Sequence, residues 1–407
     1  MARWDTDLQK FFPNIGFSSL KENQEKVLNT LVDNGNTLGI IQTGGGKSLI
    51  YWMAALEMKG IAIVISPLIS LIDEQTEKLQ KQGYEVLKLH GGIDSLKQMK
   101  LIKAFADKEL NPNFIFLSPE KIAIDGLLEE AIKRRKGDIK LLVIDEVHCV
   151  SQWGMSFRPF YQRIPIFLNS IYGSSEKWCR ILALTATVNN QELKDICTYF
   201  KIDKKNIVRQ PLMMRSEIQL HTKKCSKEAD KEEAFWNIVN IHKDEKILVY
   251  VYRKYSNHGV EGLCKEAENR GYKCAAFHGD MTAKERQEII EKYKNNDVKL
   301  VFATNAFGMG IDIPDIRVVI HYMIPESGEQ YYQEIGRSAR DGNAANAYML
   351  YSDKNIDVKG DYFIDNSFPS EDLLRDTFKK VLPFNKKAGY SSLHVFDDDE
   401  VIKCIPY

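Results

Sequence analysis

The sequence has 407 residues, of which 44% are hydrophobic and 28% are charged, and this balance excludes a disordered or fibrous chain. Lysine plus arginine and aspartate plus glutamate both number 56, so overall charge gives no argument for nucleic-acid binding, and any binding groove must be local. Seven cysteines without a CxxC pair favour neither a disulfide framework nor a zinc module, and we therefore expect a reduced, intracellular protein.

The N-terminal residues do not form the uninterrupted apolar segment of a signal peptide. No apolar run approaches the ~20 residues that a membrane-spanning helix needs. We expect a cytoplasmic protein without a membrane partner, associated with the nucleoid if it is bacterial.

Short apolar runs recur along the chain, each followed by turn residues and a helical pattern, which is typical of a parallel sheet wrapped by helices. The first group of predicted strands comprises residues 37–41, 61–65, 114–117, 141–144 and 181–184. After a charged stretch near 223–233, the second group comprises residues 247–252, 273–277, 299–303, 318–321 and 347–351. Further candidate strands lie near the junction, at 207–208 and 218–220.

This pattern predicts two tandem α/β domains, the first at residues 1–207 and the second at residues 208–355. The strand and helix rhythm stops after the second domain, and residues 356–407 are predicted to form a short C-terminal extension of unknown role. A helical stretch near 376–382 is the feature that we predict within this extension.

A glycine-rich stretch follows the first predicted strand and precedes a helical pattern, which is the context of a phosphate-binding loop. Its glycines let backbone N–H groups turn toward phosphate oxygens, and the helix N-terminus adds partial positive charge. Lys47 is placed to pair with the β- and γ-phosphates of ATP, and Ser48 to ligate Mg²⁺ through its hydroxyl. Ile41 stands where the strict GxxxxGK[ST] pattern has its first glycine. The loop residues are Thr43, Gly44, Gly45, Gly46, Lys47 and Ser48.

The apolar run at 141–144 ends in two adjacent carboxylates, Asp145 and Glu146. Side chains at the carboxyl edge of a parallel sheet face the ligand crevice. Asp145 is therefore placed to hold Mg²⁺, and Glu146 to orient or deprotonate the attacking water. An acidic turn is the ordinary alternative for an isolated Asp-Glu pair, but a preceding phosphate loop favours ATP hydrolysis.

Two arginines near the end of the second domain, Arg337 and Arg340, are spaced to share one face of a helix and to aim at a triphosphate. An arginine supplied across a cleft stabilises transition-state charge, so hydrolysis would depend on domain closure. Arg340 is the better arginine-finger candidate. Taken alone, the segment would more often be an exposed basic helix.

From residue 16 to residue 342, the order and spacing of these motifs resemble the superfamily 2 helicases and, within them, the RecQ DNA helicases. The stretches that carry the resemblance are 15–24, 42–51, 64–75, 117–121, 145–159, 183–187, 278–281, 301–317 and 333–342. The resemblance implies two RecA-like domains with ATP and Mg²⁺ in the cleft between them. It also implies 3′-to-5′ movement on single-stranded DNA, with tailed duplex DNA as a further substrate, and it adds Gln333 to the catalytic residues.

Other residues receive roles from the same resemblance. Phe17 would stack on adenine, Lys21 would support the nucleotide, Gln24 would read the adenine edge and Asp312 would contact the ribose side of ATP. Nucleic-acid contacts are implied for the strand-end residues Ser66, Pro67, Ser118, His278 and Thr304. Individually, strand-end groups of this kind are more often helix N-caps, and only their joint order favours backbone contacts.

The stretch 149–159 resembles the aromatic-rich loop that couples single-stranded DNA to the ATPase site in RecQ enzymes. Trp153 and Phe157 would stack on bases, which is tolerant of sequence, and Arg158 would join the nucleotide network. The loop departs from the family where its usual His-Asp pair is replaced by Met155-Ser156.

Three alternatives remain open. RecQ enzymes often carry a four-cysteine zinc module after the second motor domain, and this sequence shows none, so a DNA-stimulated ATPase or translocase without autonomous unwinding is one alternative. Such a subunit would act in a larger repair or defence complex, with a protein partner supplying the missing accessory domains. A non-catalytic interaction subunit and an RNA substrate are the other two.

Overall fold

A computed structural model describes residues 3–355, apart from positions 17, 43, 152–158, 211–214, 309–310, 312, 326–327 and 354. These residues form two parallel β-sheets flanked by helices, one in each half of the chain. The predicted extension at 356–407, with its helical stretch near 376–382, lies outside the described residues. Within the part that is described, every helix is too short or too polar to span a membrane.

The first half of the chain forms a sheet of seven strands. Its strands are β1 (Thr37–Ile40), β2 (Ile61–Ile65), β3 (Val86–Leu89), β4 (Phe114–Leu117), β5 (Ile139–Ile144), β6 (Arg180–Thr185) and β7 (Ile207–Arg209). Its helices are α1 (Arg3–Phe11), α2 (Glu22–Asn34), α3 (Lys47–Glu57), α4 (Ile69–Lys81), α5 (Ser95–Ala106), α6 (Pro119–Ile124), α7 (Gly126–Arg134), α8 (Ile164–Tyr172) and α9 (Asn190–Phe200). The strands are parallel, in the order β3-β4-β2-β5-β6-β1-β7.

The second half forms a sheet of six strands. Its strands are β8 (Ile218–Lys224), β9 (Ile247–Tyr250), β10 (Cys274–Phe277), β11 (Leu300–Ala303), β12 (Val318–His321) and β13 (Ala345–Tyr351). Its helices are α10 (Glu228–Ile241), α11 (Val260–Asn269), α12 (Ala283–Lys294) and α13 (Gly328–Ile335). The strands are again parallel, in the order β10-β11-β9-β12-β13-β8.

Each sheet is covered on both faces, which explains the uninterrupted apolar runs of its central strands. Successive side chains of a strand point to opposite faces, so Ile63 packs in one hydrophobic core of the first sheet and Val64 in the other. Val249 and Leu248 divide between the two cores of the second sheet in the same way. The predicted α/β class is confirmed.

The structure differs from the predicted strand pattern in two places. Strand β3 lies at the edge of its sheet, where Leu87 and Leu89 are buried while Lys88 pairs with Asp73, and this alternation hid the strand from a search for continuous apolar runs. The predicted boundary between residues 207 and 208 falls inside β7, which pairs along its whole length with β1. The first sheet therefore extends to Arg209.

Candidate functional site

A cavity of about 340 Å³ lies where the two halves of the chain face each other. We call it the nucleotide cavity. The first half contributes the predicted loop residues Gly44, Gly46, Lys47 and Ser48 and the carboxylates Asp145 and Glu146, and the second half contributes Gln333, Arg337 and Arg340. Residues separated by almost 300 positions thus line one space, as the cleft prediction requires.

The glycine-rich loop needs its glycines for two different reasons. Gly44 and Gly46 have φ angles of 71° and 78°, a region that side chains with a Cβ atom disfavour. At Gly45, a Cβ atom would lie 2.6 Å from Cγ2 of Ile41 and 2.9 Å from the carbonyl oxygen of Gln42. Ile41, which stands at the first position of the strict pattern, is buried in the core. The loop therefore uses a core side chain where that pattern has a glycine.

We expect Gly46→Ala to weaken ATP binding by about tenfold or more. A Cβ atom at this position would lie 2.4 Å from Nε2 of Gln24, which donates to the carbonyls of Gly45 at 3.2 Å and Gly46 at 3.1 Å. The left-handed backbone adds a strain of about 1–2 kcal/mol. Nucleotide titration and thermal unfolding measure the two effects.

Gly83→Ala is the matched control, because Gly83 has a φ of 89° and a Cβ atom there would meet nothing within 4 Å. It should lose stability like Gly46→Ala and bind ATP like the unmodified protein. Equal ATP affinity in the two variants would contradict the steric argument.

Lys47, at the first position of α3, forms an ion pair with Glu146, with 3.2 Å between Nζ and Oε1. Both side chains are only 14% exposed, which limits screening of the pair by water. Oε2 of Glu146 has no hydrogen-bond partner among the described residues, although Nδ1 of His148 lies 3.4 Å away. The Glu146 backbone has a φ of 47°, and its N–H donates to Oδ1 of Asp145 at 3.0 Å.

The two carboxylates differ in their electrostatic surroundings. Burial and the neighbouring charge of Glu146 raise the pKa of Asp145 to about 7, against the opposing effect of Lys47. Burial acts in the same direction on Glu146, but the charges of Lys47, His148 and Arg337 outweigh it and hold the pKa of Glu146 below its ordinary value. Ser48 lines the nucleotide cavity together with the buried carboxyl of Asp145, and oxygen ligands of this kind fit a Mg²⁺ site.

The two arginines reach the nucleotide cavity, but they do not share a helical face as predicted. Helix α13 ends at Ile335, and a left-handed Ala339 with a φ of 54° turns the chain away from helical geometry. Arg337 donates from Nη1 to the carbonyl of Gly308 at 2.5 Å, and Arg340 from Nη1 to that of Ile311 at 3.3 Å. We call residues 336–340 the arginine segment.

Gln24 and Lys21 do not line the nucleotide cavity. The Gln24 amide is buried and bridges α2 to the glycine-rich loop, and its Oε1 accepts from the backbone N–H of Lys21 at 2.8 Å. Their assigned contacts with the nucleotide therefore stay predictions. Phe17, Thr43 and Asp312 lie outside the described residues.

The predicted nucleic-acid residues follow the carboxyl ends of four strands. Ser66 follows β2 and Ser118 follows β4, while His278 follows β10 and Thr304 follows β11. All four are buried, as is Pro67, and Oγ of Ser66 has no hydrogen-bond partner among the described residues. Because the strands are parallel, these groups share the carboxyl edges of the two sheets. Trp153, Phe157 and Arg158 lie outside the described residues.

A second cavity of about 300 Å³ opens at the carboxyl edge of the second sheet, and we call it the strand-end cavity. Its lining includes Lys254, Gly279, Thr304, Asn305, His321, Gln330 and Glu334. Thr304 is the predicted nucleic-acid residue that lies in this lining.

Arg215 is a residue that the motifs did not predict. It is 8% exposed, and its guanidinium donates to the carbonyl of Ser338 at 3.0 Å and to the carbonyl of Ala339. A Cβ atom on Gly44 would lie 3.5 Å from its Nη1. Arg215 therefore joins the glycine-rich loop and the arginine segment, and no sequence pattern marks a contact formed only by the tertiary fold.

We expect Arg215→Met to lower kcat for ATP hydrolysis by about 10- to 100-fold, because the arginine segment loses two anchors and positional errors of ~1 Å are costly. Arg215→Lys keeps the charge but not the forked donors, so it should recover little of the loss. Steady-state ATPase rates with nucleotide titration check this. Full activity of the lysine variant would show that charge alone matters.

Residues 21–196 match the DEAD/DEAH box helicase family, and residues 230–342 match the helicase conserved C-terminal domain. The chain is similar to the ATP-dependent DNA helicase RecQ of Bacillus subtilis, with 33% identity over 84% of this chain and 56% of that protein. It is also similar to R290 of Acanthamoeba polyphaga mimivirus, provisionally named an ATP-dependent RNA helicase, with 30% identity over 96% of this chain and 69% of that protein.

Among solved structures, Dbp5 of S. cerevisiae bound to RNA and ADP BeF3 shares the fold, with a TM-score of 0.64 and 22% sequence identity. The match covers 88% of this chain and 91% of Dbp5. The chain spans only part of the RecQ helicase that it matches, so the sequence match by itself concerns the motor domains. The two parallel sheets and the nucleotide cavity between them agree with the two domain matches. The chain therefore belongs to the RecQ-like superfamily 2 helicases.

Proposed function

We propose that this RecQ-like, ATP-dependent helicase acts on DNA, moves 3′ to 5′ along single strands and separates tailed duplexes. The observation that best supports ATP-driven movement is the composite nucleotide cavity, in which Lys47 and Glu146 face Gln333, Arg337 and Arg340 from the other half of the chain. Since neither half holds the complete set, hydrolysis depends on how the halves meet.

Each catalytic side chain has a role that follows from its position. Lys47 binds the terminal phosphates, and this releases Glu146 from the observed ion pair. The freed carboxylate then orients the attacking water and accepts its proton. Arg340 and Arg337 stabilise the charge that develops on the transferred phosphoryl group.

Mg²⁺, when bound, would supply positive charge that neutralises the phosphates. Ser48 and Asp145 are the residues that would hold it, because they lie together in the cavity and Asp145 carries a buried carboxylate that favours a cation. We also propose that the protein acts in the cytoplasm.

An RNA substrate is the second candidate, because the mimivirus relative that covers 96% of this chain is named for RNA. ATPase rates should be measured with single-stranded DNA, with RNA of equal length and without nucleic acid, at one stated salt concentration. We expect DNA to stimulate more than RNA. Equal or greater stimulation by RNA would reject the DNA proposal.

A second assay tests the direction of movement along DNA and the separation of duplex strands. Duplexes with a 3′ tail and with a 5′ tail should be compared, and we expect strand release only from the 3′-tailed substrate. DNA-stimulated ATPase without strand release would instead support a translocase that works with a protein partner, which co-purification of stable subunits would identify.

A further inference from the structure

Helix α13 separates the two cavities. Gln330 and Glu334, four residues apart and so on one face, line the strand-end cavity. Gln333, on the adjoining face, and Arg337, just beyond the helix end, line the nucleotide cavity. A small rotation or shift of this helix would therefore change both cavities at once.

A buried acid-base pair fixes α13 to the end of strand β12. Nε2 of His321 lies 2.7 Å from Oε2 of Glu334, and the two side chains are 1% and 7% exposed. Oε1 of Glu334 accepts from Nε2 of Gln330 at 2.9 Å. The His321 ring stacks on Tyr250 with 5.3 Å between ring centroids, and its Nδ1 is buried without a partner among the described residues.

The loop after β11 makes a second connection between the cavities. Thr304 and Asn305 at its start line the strand-end cavity. Two carbonyls further along this loop accept hydrogen bonds. The hydroxyl of Tyr250, which lines the strand-end cavity, donates to the carbonyl of Phe307 at 2.8 Å, and the guanidinium of Arg337 donates to the carbonyl of Gly308. A group that binds against Thr304 would therefore shift this loop, and with it the Gly308 carbonyl that accepts a hydrogen bond from Arg337.

We propose that His321 and Glu334 are positioning residues that transmit the occupancy of the strand-end cavity by a nucleic-acid phosphodiester to Arg337, and so to the rate of ATP hydrolysis. The proposal rests on the proposed function and extends it to two residues that no motif assigned. The cavity suits a phosphodiester because it combines the hydroxyl of Thr304, the amide of Asn305 and the ammonium group of Lys254, which pairs with Asp280 at 2.6 Å and can exchange that carboxylate for a phosphate.

A purely structural pair would stabilise the fold and affect all activities alike. The pair is well suited to a positioning role because each partner, if separated, leaves a buried polar group unsatisfied, which restricts α13 to one arrangement over β12. A positioning role differs from a purely structural role in one measurable way: loss of the pair should lower DNA-stimulated hydrolysis more than DNA-free hydrolysis.

The test is a double variant, His321→Phe with Glu334→Met, which replaces both partners by apolar groups of similar size and so avoids an orphaned charge. ATPase should be measured with and without saturating single-stranded DNA, together with DNA affinity and thermal unfolding. We expect the ratio of stimulated to DNA-free kcat, measured at saturating DNA, to fall by about tenfold, which is a larger loss than that of the DNA-free kcat itself. Glu334→Gln keeps an acceptor for His321 and should restore most of the stimulation.

Gln330→Met is the milder second variant, which removes one donor to Glu334 and should shift stimulation in the same direction if the double variant unfolds. Equal loss of basal and stimulated rates, a loss of DNA affinity alone, or full stimulation would each overturn the positioning role. An unmodified protein that no nucleic acid stimulates would reject the proposed function and this inference with it. A stimulated protein with unaffected variants rejects only the inference.

Discussion

Replacing Arg340 with alanine is expected to lower kcat for ATP hydrolysis by about 1,000-fold or more, because an arginine supplied across a cleft stabilises charge that exists only in the transition state. Arg340 lines the nucleotide cavity from the second half of the chain and is held by the carbonyl of Ile311. The affinity for ATP should change far less than kcat, since the glycine-rich loop is untouched. Single-turnover hydrolysis and nucleotide titration separate the two quantities.

Arg270→Ala is a suitable control, because Arg270 lies in the second half of the chain but pairs with Glu266 at 2.7 Å and does not line the nucleotide cavity. It should retain full activity. Arg340→Lys should recover little, since an ammonium group lacks the forked geometry. A variant Arg340→Ala that only raises KM would show that this arginine binds nucleotide in the ground state.

The second large effect is expected at Glu146. Glu146→Gln should lower kcat by about 100- to 10,000-fold, because the neutral amide cannot accept the proton of the attacking water. ATP binding should be unchanged or tighter, since Lys47 loses the carboxylate that pairs with it at 3.2 Å. Both quantities can be measured on one preparation, by phosphate release and by equilibrium binding.

Asp145→Asn is the matched comparison, because it removes the neighbouring carboxylate of the same strand end. It should weaken Mg²⁺-dependent nucleotide binding, which Glu146→Gln should not. Weaker ATP binding in the Glu146 variant would contradict the division of roles drawn from the opposite pKa directions of the two carboxylates.

Much of the fold could be predicted because both sheets are parallel and covered on both faces, so their central strands are continuous apolar runs. Edge strands lack that signal: β3 has Lys88 paired with Asp73 on its exposed side, and an alternating pattern is easily lost in a loop. The junction was misplaced for a related reason. Strand β7 is only three residues long and half-buried, and its partner β1 lies some 170 positions earlier.

The candidate site was predictable where a local motif carries the chemistry, as in the glycine-rich loop and the carboxylates after β5. It was not predictable where the function of a side chain depends on a distant partner. The amide of Gln24 holds two carbonyls of the glycine-rich loop, a contact that its place in the sequence does not reveal. Arg215 and the His321–Glu334 pair are visible only once the chain is folded.

The non-helical geometry of the arginine segment has a mechanical consequence. The segment is tied to the loop that precedes β12, because the N–H of Ala339 donates to the carbonyl of Ile316 at 3.0 Å and that of the adjoining Asp341 donates to the carbonyl of Pro314 at 3.2 Å, besides the hydrogen bonds of the guanidinium groups. Because the segment is anchored in this way, the arginines move together with the second half of the chain. They reach the phosphates only when that half closes on the first. Charge-assisted hydrogen bonds require about 2.7–2.9 Å, so we expect bound ATP to be hydrolysed only when the cleft is closed.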